Sequence, residues 1–273
     1  MLGKDLIQNP QQWQLVIEVT ASSLAVVAFS SYEEDALIAH NIPLSGSAPS
    51  ARKALEDAVY DNPLLLSDFR RVIILYDTPR FLPFPPSGGN TDITAALFRR
   101  VFPPDPLSAG EIMHTPVPSV HADIVFEIPQ DAAGFLRRTF HNATIAHPLA
   151  PVAAYFQAKH PARRHGKTLV NIQNGRVDII TLGENAPLTL ASHRIVEPMD
   201  AVYYILSARS ANALRDTDEI MISGDRTLRA AITPVLRKYV RYVMPAIFPS
   251  VMFRAGKASL GAPFEMILAP LTL

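Results

Sequence analysis

The chain has 273 residues, 48% hydrophobic and 18% charged, which predicts one large or two ordinary folded domains and excludes a disordered chain. Lys plus Arg and Asp plus Glu balance at 25 each, so no net charge favours nucleic acid or an anionic membrane. The absence of cysteine excludes disulfides, thiolate metal sites and a cysteine nucleophile.

The sequence also lacks recognisable targeting signals. Met1–Gln12 has no apolar stretch typical of a signal peptide, and no window has the 18 apolar residues of a membrane span. We therefore expect a cytoplasmic protein without membrane insertion. The chain contains 24 Pro but only 12 Gly, although phosphate-binding loops need Gly where the backbone approaches the ligand.

The first half alternates strands with helices, and Ser50 is the expected N-cap of the first helix. The predicted strands are Leu15–Val19, Leu24–Phe29, Ala36–Leu44, Arg71–Tyr76 and Asp123–Ile128, and the predicted helices are Pro49–Tyr60, Thr91–Val101, one opening at Pro129, and Pro148–Gln157. The opening order, three strands, a helix and a strand, implies antiparallel or mixed strands followed by a crossover. Phe81–Gly89 is too rich in proline to predict regular structure.

A basic segment, His160–Lys167, is the predicted linker to a second half. That half opens with Thr168–Thr181, two alternating β-branched runs joined by Asn174-Gly175, which is a strong hairpin signal. The further predictions are strands at Leu188–Val196, Asp218–Ser223 and Phe264–Leu268, and helices at Pro198–Leu214 and Arg226–Val243. Pro234 is expected to kink the last helix or to mark its true start. The predicted domains are therefore residues 1–160 and 161–273.

Both halves have the same order of strand, strand, strand, helix, strand. This repeat resembles the actin-like ATPase superfamily, which includes sugar kinases and heat-shock ATPases. More closely, the chain is similar to an uncharacterised family of unknown function with that fold, most clearly in Arg71–Pro86, Asp123–Phe140 and Thr168–Arg194. The resemblance implies an α/β fold of two duplicated, ribonuclease H-like subdomains. Each would have a mixed sheet opened by β-hairpins and flanked by helices.

In that superfamily two glycine-rich hairpins hold ATP, each with an Asp at the end of its first strand and a Gly two residues later. In this sequence, Glu18 and Asn171 stand at the Asp positions, and Thr20 and Gln173 stand at the Gly positions. The adenosine-contacting Gly-Gly corresponds to Gly224-Asp225, which keeps one glycine.

These departures predict a degenerate nucleotide site. Side chains at Thr20 and Gln173 would occupy the space where phosphate meets backbone amides, and Asn171 removes a charge that would help to hold a hydrated divalent cation. We expect a pseudo-ATPase with no catalytic residues, no metal and no cofactor. The alternative is a Mg-ATP-dependent ATPase or a small-metabolite kinase.

Three other features have weaker functional readings. His114, His121 and Asp123 lie close in sequence and could suggest a metal site. Their Pro-rich loop has no defined ligand geometry, so histidines on a surface loop are the better interpretation. The basic segment His160–Lys167 could bind an anion, but a solvated linker is the better interpretation. Asp77 follows a buried strand, a position where enzymes of the superfamily it resembles often place functional carboxylates, but capping of the following turn is the better interpretation.

Phe81, Leu82 and Phe84 belong to the unusual run FLPFPP. On a stiff, polyproline-like segment they could anchor a protein partner, or they could pack into the core of the first half. The leading functional hypothesis is a non-catalytic scaffold or interaction protein. The composition predicts no nucleic acid ligand, leaves room for a protein partner, and does not fix the oligomeric state.

Overall fold

The structure is a computed structural model that describes residues 1–32, 35–86, 91–105, 110–159, 166–173, 175–182, 189–247, 249–250, 259 and 261–273. Its contacts divide the chain into two compact units. The first unit is Met1–Val152 with Pro249–Leu273, and the second is Ala153–Phe248. The sequence-based division at 160/161 differs from this one in assigning the carboxyl-terminal segment to the second half.

The first unit contains a mixed sheet whose central strand is hydrophobic. Its strands are β1 (Trp13–Val19), β2 (Ser23–Ser30), β3 (Leu37–Pro43), β4 (Arg71–Tyr76) and β8 (Thr144–Ala146). Among the described residues their order is β3-β2-β1-β4-β8, with β1 antiparallel to β2 and parallel to β4. Leu15 to Val19 are all buried, so β1 is covered on both faces, as a central strand of an α/β sheet requires.

A smaller antiparallel sheet consists of β5 (Phe81–Phe84), β6 (Gly110–Val117) and β7 (Ala122–Pro129), in the order β5-β7-β6 over the part of the chain that is described. The prediction that Phe81–Gly89 has no regular structure is therefore wrong for its first four residues. A proline is tolerated in β5 because β5 is an edge strand, where one side of the backbone needs no partner.

Helices complete the first unit: α1 (Ala51–Tyr60), α2 (Thr91–Val101), α3 (Gln130–Thr139), α4 (Leu149–Lys159, whose last residues belong to the second unit) and α7 (Phe264–Thr272). Ser50 caps α1 as predicted, because its Oγ accepts the N–H of Lys53 at 3.1 Å. The strand predicted at Phe264–Leu268 is wrong. A short, continuous apolar run fits a buried helix as well as a strand, and here α7 packs on β1 and β4.

The second unit repeats the strand order of the first. It contains β9 (Lys167–Gln173), β10 (Arg176–Leu182), β11 (Thr189–Arg194), α5 (Pro198–Ala211), β12 (Glu219–Gly224), α6 (Arg226–Leu236) and β13 (Val243–Pro245). The described strands are ordered β11-β10-β9-β12-β13, with β9 antiparallel to β10 and parallel to β12.

The helix predicted at Arg226–Val243 is too long. Helix α6 ends at Leu236, and Val243 begins the edge strand β13. Pro234 lies inside the last turn of α6 and does not start a new helix. The apolar residues of α5 and α6 pack with those of β9, β10 and β12 in one buried cluster that includes Val170, Ile205 and Ile232.

Candidate functional site

The turn between β1 and β2 is stabilised by the side chain of Thr20. Thr20 Oγ1 accepts hydrogen bonds from the backbone N–H groups of Ser22 at 3.2 Å and Ser23 at 2.9 Å. The Thr20 N–H donates to the Ser23 carbonyl oxygen at 2.9 Å. A hydroxyl that accepts amides two and three residues onward is a known turn-forming arrangement. These two amides therefore already have an acceptor within the chain.

Glu18 lies one residue before the end of β1 and is 1% exposed. It is directly opposite Ala25 in β2 and Leu75 in β4. The acidic residue of the first hairpin is thus a buried residue of a central strand, with apolar neighbours on both adjacent strands.

A cavity of about 770 Å³ lies at the carboxyl ends of β1 and β4, wholly within the first unit. From β1 the chain continues into β2, whereas from β4 the next strand of the same sheet is β8, on the other side. Ligands of open α/β sheets bind at such a switch point, and the volume is within the range of small-molecule sites. The turn at Thr20, the loop before α1, residues that follow β4 and the start of α3 line the cavity.

Tyr76 ends β4 and lines this cavity with Asp77 and Asp131. Burial, followed by the negative charges of Asp131 and Asp77, raises the pKa of the Tyr76 hydroxyl to about 12. The phenol therefore stays protonated at neutral pH. Arg80, which also lines the cavity, forms an ion pair with Glu127 and donates to the carbonyl oxygens of Phe102 at 3.1 Å and Pro103 at 2.8 Å.

The second hairpin has a different set of polar contacts. Asn171 is 3% exposed, and its Oδ1 accepts the hydroxyl of Ser223 at 2.8 Å. Gln173 ends β9 as a half-buried residue opposite Arg176. Asn174 lies outside the described residues, and Gly175 has a φ of +68°. The glycine therefore has the left-handed backbone that its turn position requires.

Asp178 is a buried charged group beside Asn171 in the sheet. Its carboxylate accepts Nε of Arg176 at 2.9 Å, Nη2 of Arg176 at 3.2 Å and the hydroxyl of Ser192 at 2.6 Å. Because a buried carboxylate is stable only when it is paired and hydrogen-bonded, these contacts explain its position in the interior.

Gly224 ends β12 and faces Ile172 of β9. Its φ is +92°, and a Cβ at this position would overlap the backbone of Ile172. The N–H of Asp225 donates to the Ile172 carbonyl at 2.6 Å. Close backbone packing thus requires glycine at this position whether or not a nucleotide binds.

Phe81 points into the first unit. It is 6% exposed, its ring centroid lies 4.3 Å from that of His147, and β5 places it opposite Phe126. These contacts favour the core alternative for Phe81. Leu82 and Phe84 are half-buried, and their role in binding a partner stays a prediction.

Within the described ranges, no group of His, Asp and Glu side chains is arranged to hold a metal ion, and this includes His114, His121 and Asp123. The residues 160–165 of the basic segment lie outside the described residues. No helix in the described part of the chain is long and apolar enough to cross a membrane.

Sequence reasoning missed Tyr76, Arg80 and Asp131 as cavity residues. The available signal was position: Tyr76 is the last residue of a predicted parallel strand, where ligand sites concentrate. Arg80 and Asp131 reach the cavity through the small sheet around β7, and only part of that sheet was predicted.

A family model described as "Protein of unknown function (DUF3822)" matches residues 4–243. No curated protein matches the sequence. Solved structures show the fold. A crystal structure from Bacteroides thetaiotaomicron VPI-5482, described as a protein with actin-like ATPase fold and unknown function, has 17% identity and a TM-score of 0.75, covering 87% of this chain and 92% of that one.

A second similar structure is described as the PilM–PilN type IV pilus biogenesis complex. It has 14% identity and a TM-score of 0.55, and the match covers 95% of this chain and 97% of that one. These similarities confirm the predicted α/β fold of the actin-like ATPase type.

Proposed function

The chain belongs to the DUF3822 family of proteins of unknown function, and on that premise we propose that it is a non-catalytic, protein-binding member of the actin-like fold. In this proposal the scaffold is kept and nucleotide hydrolysis is lost.

The observation that carries the proposal is the use of the turn amides by Thr20. A phosphate-binding loop offers free backbone N–H groups to phosphate oxygens. The N–H groups of Ser22 and Ser23 instead donate to Thr20 Oγ1. A nucleotide would have to displace this hydroxyl and would meet the Thr20 side chain in the same space.

The second hairpin supports the same conclusion. Mg²⁺ prefers carboxylate and water oxygens and is held in near-octahedral geometry. Asn171 offers a neutral amide whose oxygen already accepts the Ser223 hydroxyl. Gly224 has a structural role against Ile172, so its presence does not argue for an adenosine site. The residues at these positions do not fit a Mg-ATP cofactor.

A protein ligand is favoured by the fold comparison. One of the similar structures is a complex of PilM with a second protein, PilN, which supports a protein-binding role for this chain. Leu82 and Phe84 of the edge strand β5 remain candidates for such contacts.

Isothermal titration of the full chain with ATP and Mg²⁺ tests the proposal. We expect no saturable heat at millimolar nucleotide. We also expect no rise in the melting temperature, because a ligand that binds the native state stabilises it more as its concentration exceeds the dissociation constant. Micromolar, Mg-dependent binding that is lost on Glu18→Ala would contradict the proposal. That result would favour an ATPase or a small-metabolite kinase.

A further inference from the structure

A segment of the second unit carries only positive charge. Residues 226–247 contain no Asp or Glu, whereas the whole chain has equal numbers of basic and acidic residues. The basic residues of the segment are Arg226, Arg229, Arg237, Lys238 and Arg241. The last three are exposed and lie in the turn between α6 and β13, residues 237–242, which we call the basic turn. Positive charge is therefore concentrated at one place on the surface of this unit.

The cations of the basic turn have no carboxylate partner in the part of the chain that the structure describes. The carboxylates that precede α6 in the chain have other contacts. Asp218 is buried and accepts two backbone N–H groups, and Glu219 is paired with Lys167. Asp216 contacts the turn through its backbone carbonyl, which accepts the N–H of Arg241 at 2.8 Å. The positive charge of the turn is therefore available to an acidic partner.

The basic turn is held in one conformation by the fold. Nη2 of Arg237 donates to the carbonyl oxygen of Val243 at 3.0 Å, which closes the turn. The N–H groups of Tyr239 and Val240 donate to the carbonyl oxygen of Leu236 at 3.0 and 2.9 Å. Val240 and Val243 belong to the buried cluster of the second unit. Because the turn is already ordered, a partner can bind it at a small cost in conformational entropy.

Large apolar side chains lie exposed among these cations, which is an observation independent of charge. Four side chains of the segment are between 41% and 65% exposed, namely Tyr239, Tyr242, Met244 and Ile247. The guanidinium of Arg241 lies over the ring of Tyr242, 5.4 Å from its centroid. Tyrosine, methionine and arginine are the residue types that protein interfaces favour over the rest of the surface. The surface thus combines cations with apolar contact area.

A purely structural role explains only part of this surface. Cations stabilise the carboxyl end of a helix, and this accounts for Arg237 and Lys238. It does not account for Arg241, which lies beyond the end of α6, or for the exposed tyrosines. Addition of a strand to β13 is also disfavoured, because Arg237 already bonds to the carbonyl of Val243 and Pro245 has no N–H to donate. A partner would therefore contact the side chains.

The number of cations restricts the kind of anionic partner. Nucleic acids are bound by many phosphate contacts on strongly basic domains, whereas this chain has a net charge of zero. Anionic membranes attract clusters of roughly four to eight Lys or Arg, more than the basic turn exposes. A short acidic protein segment needs fewer cations, because one arginine binds a carboxylate through two parallel hydrogen bonds.

We propose that the basic turn, together with Met244, binds a segment of a partner protein that combines carboxylates with apolar side chains. Lys238 and Arg241 contact the carboxylates, and the apolar side chains pack on Tyr242 and Met244. This inference rests on the proposed role as a protein-binding scaffold and gives the chemistry of the partner.

The test is a nuclear magnetic resonance titration of the ¹⁵N-labelled full chain with acetylated, amidated pentapeptides. The first peptide has glutamate at its first, third and fifth positions, with leucine and phenylalanine between them. We expect it to shift the amide signals of residues such as Lys238 and Met244 in a saturable way. A second peptide with glutamine in place of glutamate should bind about tenfold more weakly, because it lacks the charge pairs. A third peptide, with serine in place of leucine and phenylalanine, should also bind more weakly.

Two variants and a matched control locate the contact. Lys238→Gln and Arg241→Gln should each weaken binding of the glutamate peptide by about two- to fivefold, as expected for loss of one exposed charge pair. Both side chains are exposed, so the variants are expected to fold normally and to keep the melting temperature of the wild type. Arg226→Gln removes an exposed arginine at the opposite end of α6, and it should leave binding unchanged.

Three outcomes would overturn the inference. The first is the absence of saturable shifts at the basic turn with the glutamate peptide, and the second is equal binding of the glutamine peptide. The third is tighter binding of oligothymidylate or of phosphatidylserine vesicles at the same residues, which would assign the turn to a phosphate-bearing partner. ATP with Mg²⁺ is titrated in parallel: its binding contradicts the proposed function, whereas peptide failure without ATP binding contradicts only this inference.

Discussion

The hairpins that open the two units have the same register but stabilise their turns differently. Glu18 is paired with Ala25, and Asn171 is paired with Asp178, seven residues onward in both cases. In the first turn Thr20 supplies a hydroxyl, whereas in the second Gly175 supplies a positive φ. The two hairpins therefore share a strand register and a backbone path, whereas the side chains that stabilise their turns differ.

The same contrast extends across the sheets. The row that contains Asn171 has a polar residue on each of four adjacent strands, β11, β10, β9 and β12, in the order Ser192, Asp178, Asn171 and Ser223. The matching row of the first unit is Asn41, Ala25, Glu18 and Leu75. The matching registers support an internal duplication. In this row the second unit has polar residues, three of them buried, whereas the first unit has one buried acidic residue among mostly apolar neighbours.

Gly224→Ala gives the strongest test of this comparison. In the first unit the matching position is Tyr76, opposite Val19, so a side chain is accepted there. In the second unit a Cβ would overlap the backbone of Ile172 at a φ of +92°. We expect a loss of about 3 kcal/mol or more in the free energy of unfolding, measured by urea denaturation.

Gly46→Ala is the matched control for Gly224→Ala. No atom lies within 4 Å of a Cβ built at Gly46, so the free energy of unfolding should change by less than about 0.5 kcal/mol. Equal effects of the two substitutions would show that the close approach of β12 to β9 does not constrain the second unit.

Arg209→Met tests a buried charge that is found in the second unit. The Arg209 guanidinium is 3% exposed and donates to Thr168 Oγ1 at 2.8 Å and to the carbonyl oxygens of Arg215 at 2.5 Å and Asp218 at 2.8 Å. Its removal takes the guanidinium donor from all three acceptors, of which the Arg215 carbonyl still accepts the N–H of Asp218 at 3.1 Å. We expect a loss of about 2–3 kcal/mol, again by urea denaturation.

Asn62, which follows helix α1 of the first unit, makes two neutral hydrogen bonds. Its side-chain oxygen accepts the N–H of Leu2 at 2.7 Å, and its side-chain NH₂ group donates to the carbonyl of Ala58 at 2.8 Å. Asn62→Ala should therefore cost less than Arg209→Met, because hydrogen bonds to charged groups are the stronger ones. The reverse ranking would contradict the view that the charged donor at Arg209 contributes more to stability than the neutral amide at Asn62.

The sequence predicted the elements whose cause is local and missed those whose cause is tertiary. The helix cap at Ser50 and the hairpin at Asn174-Gly175 follow from short-range chemistry. The strand at Phe81–Phe84 required knowledge of β7 as its partner, and the helix at Phe264 required knowledge of the sheet that it covers. Nothing in the sequence distinguishes buried Arg209 from a surface arginine, since its partners lie on other elements.

The candidate site divides in the same way. Thr20, Asn171 and Gln173 could be named because the two hairpins resemble those of the actin-like superfamily, and the structure adds how each is placed. The cavity could not be predicted from that pattern, because Asp77, Asp131 and Arg80 come together through three separate elements. Many strands are followed by a carboxylate residue, and only the folded structure shows which of these carboxylates line the same cavity.

Thr20→Val tests whether the first turn depends on its hydroxyl. Valine keeps the shape but leaves the N–H groups of Ser22 and Ser23 without their acceptor, so we expect a loss of about 1 kcal/mol, similar to loss of a helix cap. Thr20→Ser keeps the hydroxyl and should remain within about 0.5 kcal/mol of the wild type. A Thr20→Val variant as stable as Thr20→Ser would show that solvent satisfies the turn amides equally well.

His193 gives the smallest and most local test. It neighbours the polar row at a position matched by Ile42 in the first unit, and its ring stacks on Tyr204 with centroids 4.1 Å apart. Burial lowers the pKa of His193 below its ordinary value of 6.5, although the charge of Asp178 opposes the shift. Because the unfolded chain then binds the proton more readily, the contribution of His193 to stability is complete above pH 6.5. It is lost as the pH falls through the folded pKa.

The imidazole proton signals should report this titration directly by nuclear magnetic resonance. Tyr204→Ala uncovers the ring and should move the pKa of His193 back toward 6.5. Tyr203→Ala removes a neighbouring ring that is 67% exposed and should move it less. If both substitutions shift the titration equally, burial under Tyr204 is not the cause. The aromatic stack would then be no more than a substitute for the apolar packing that Ile42 provides in the first unit.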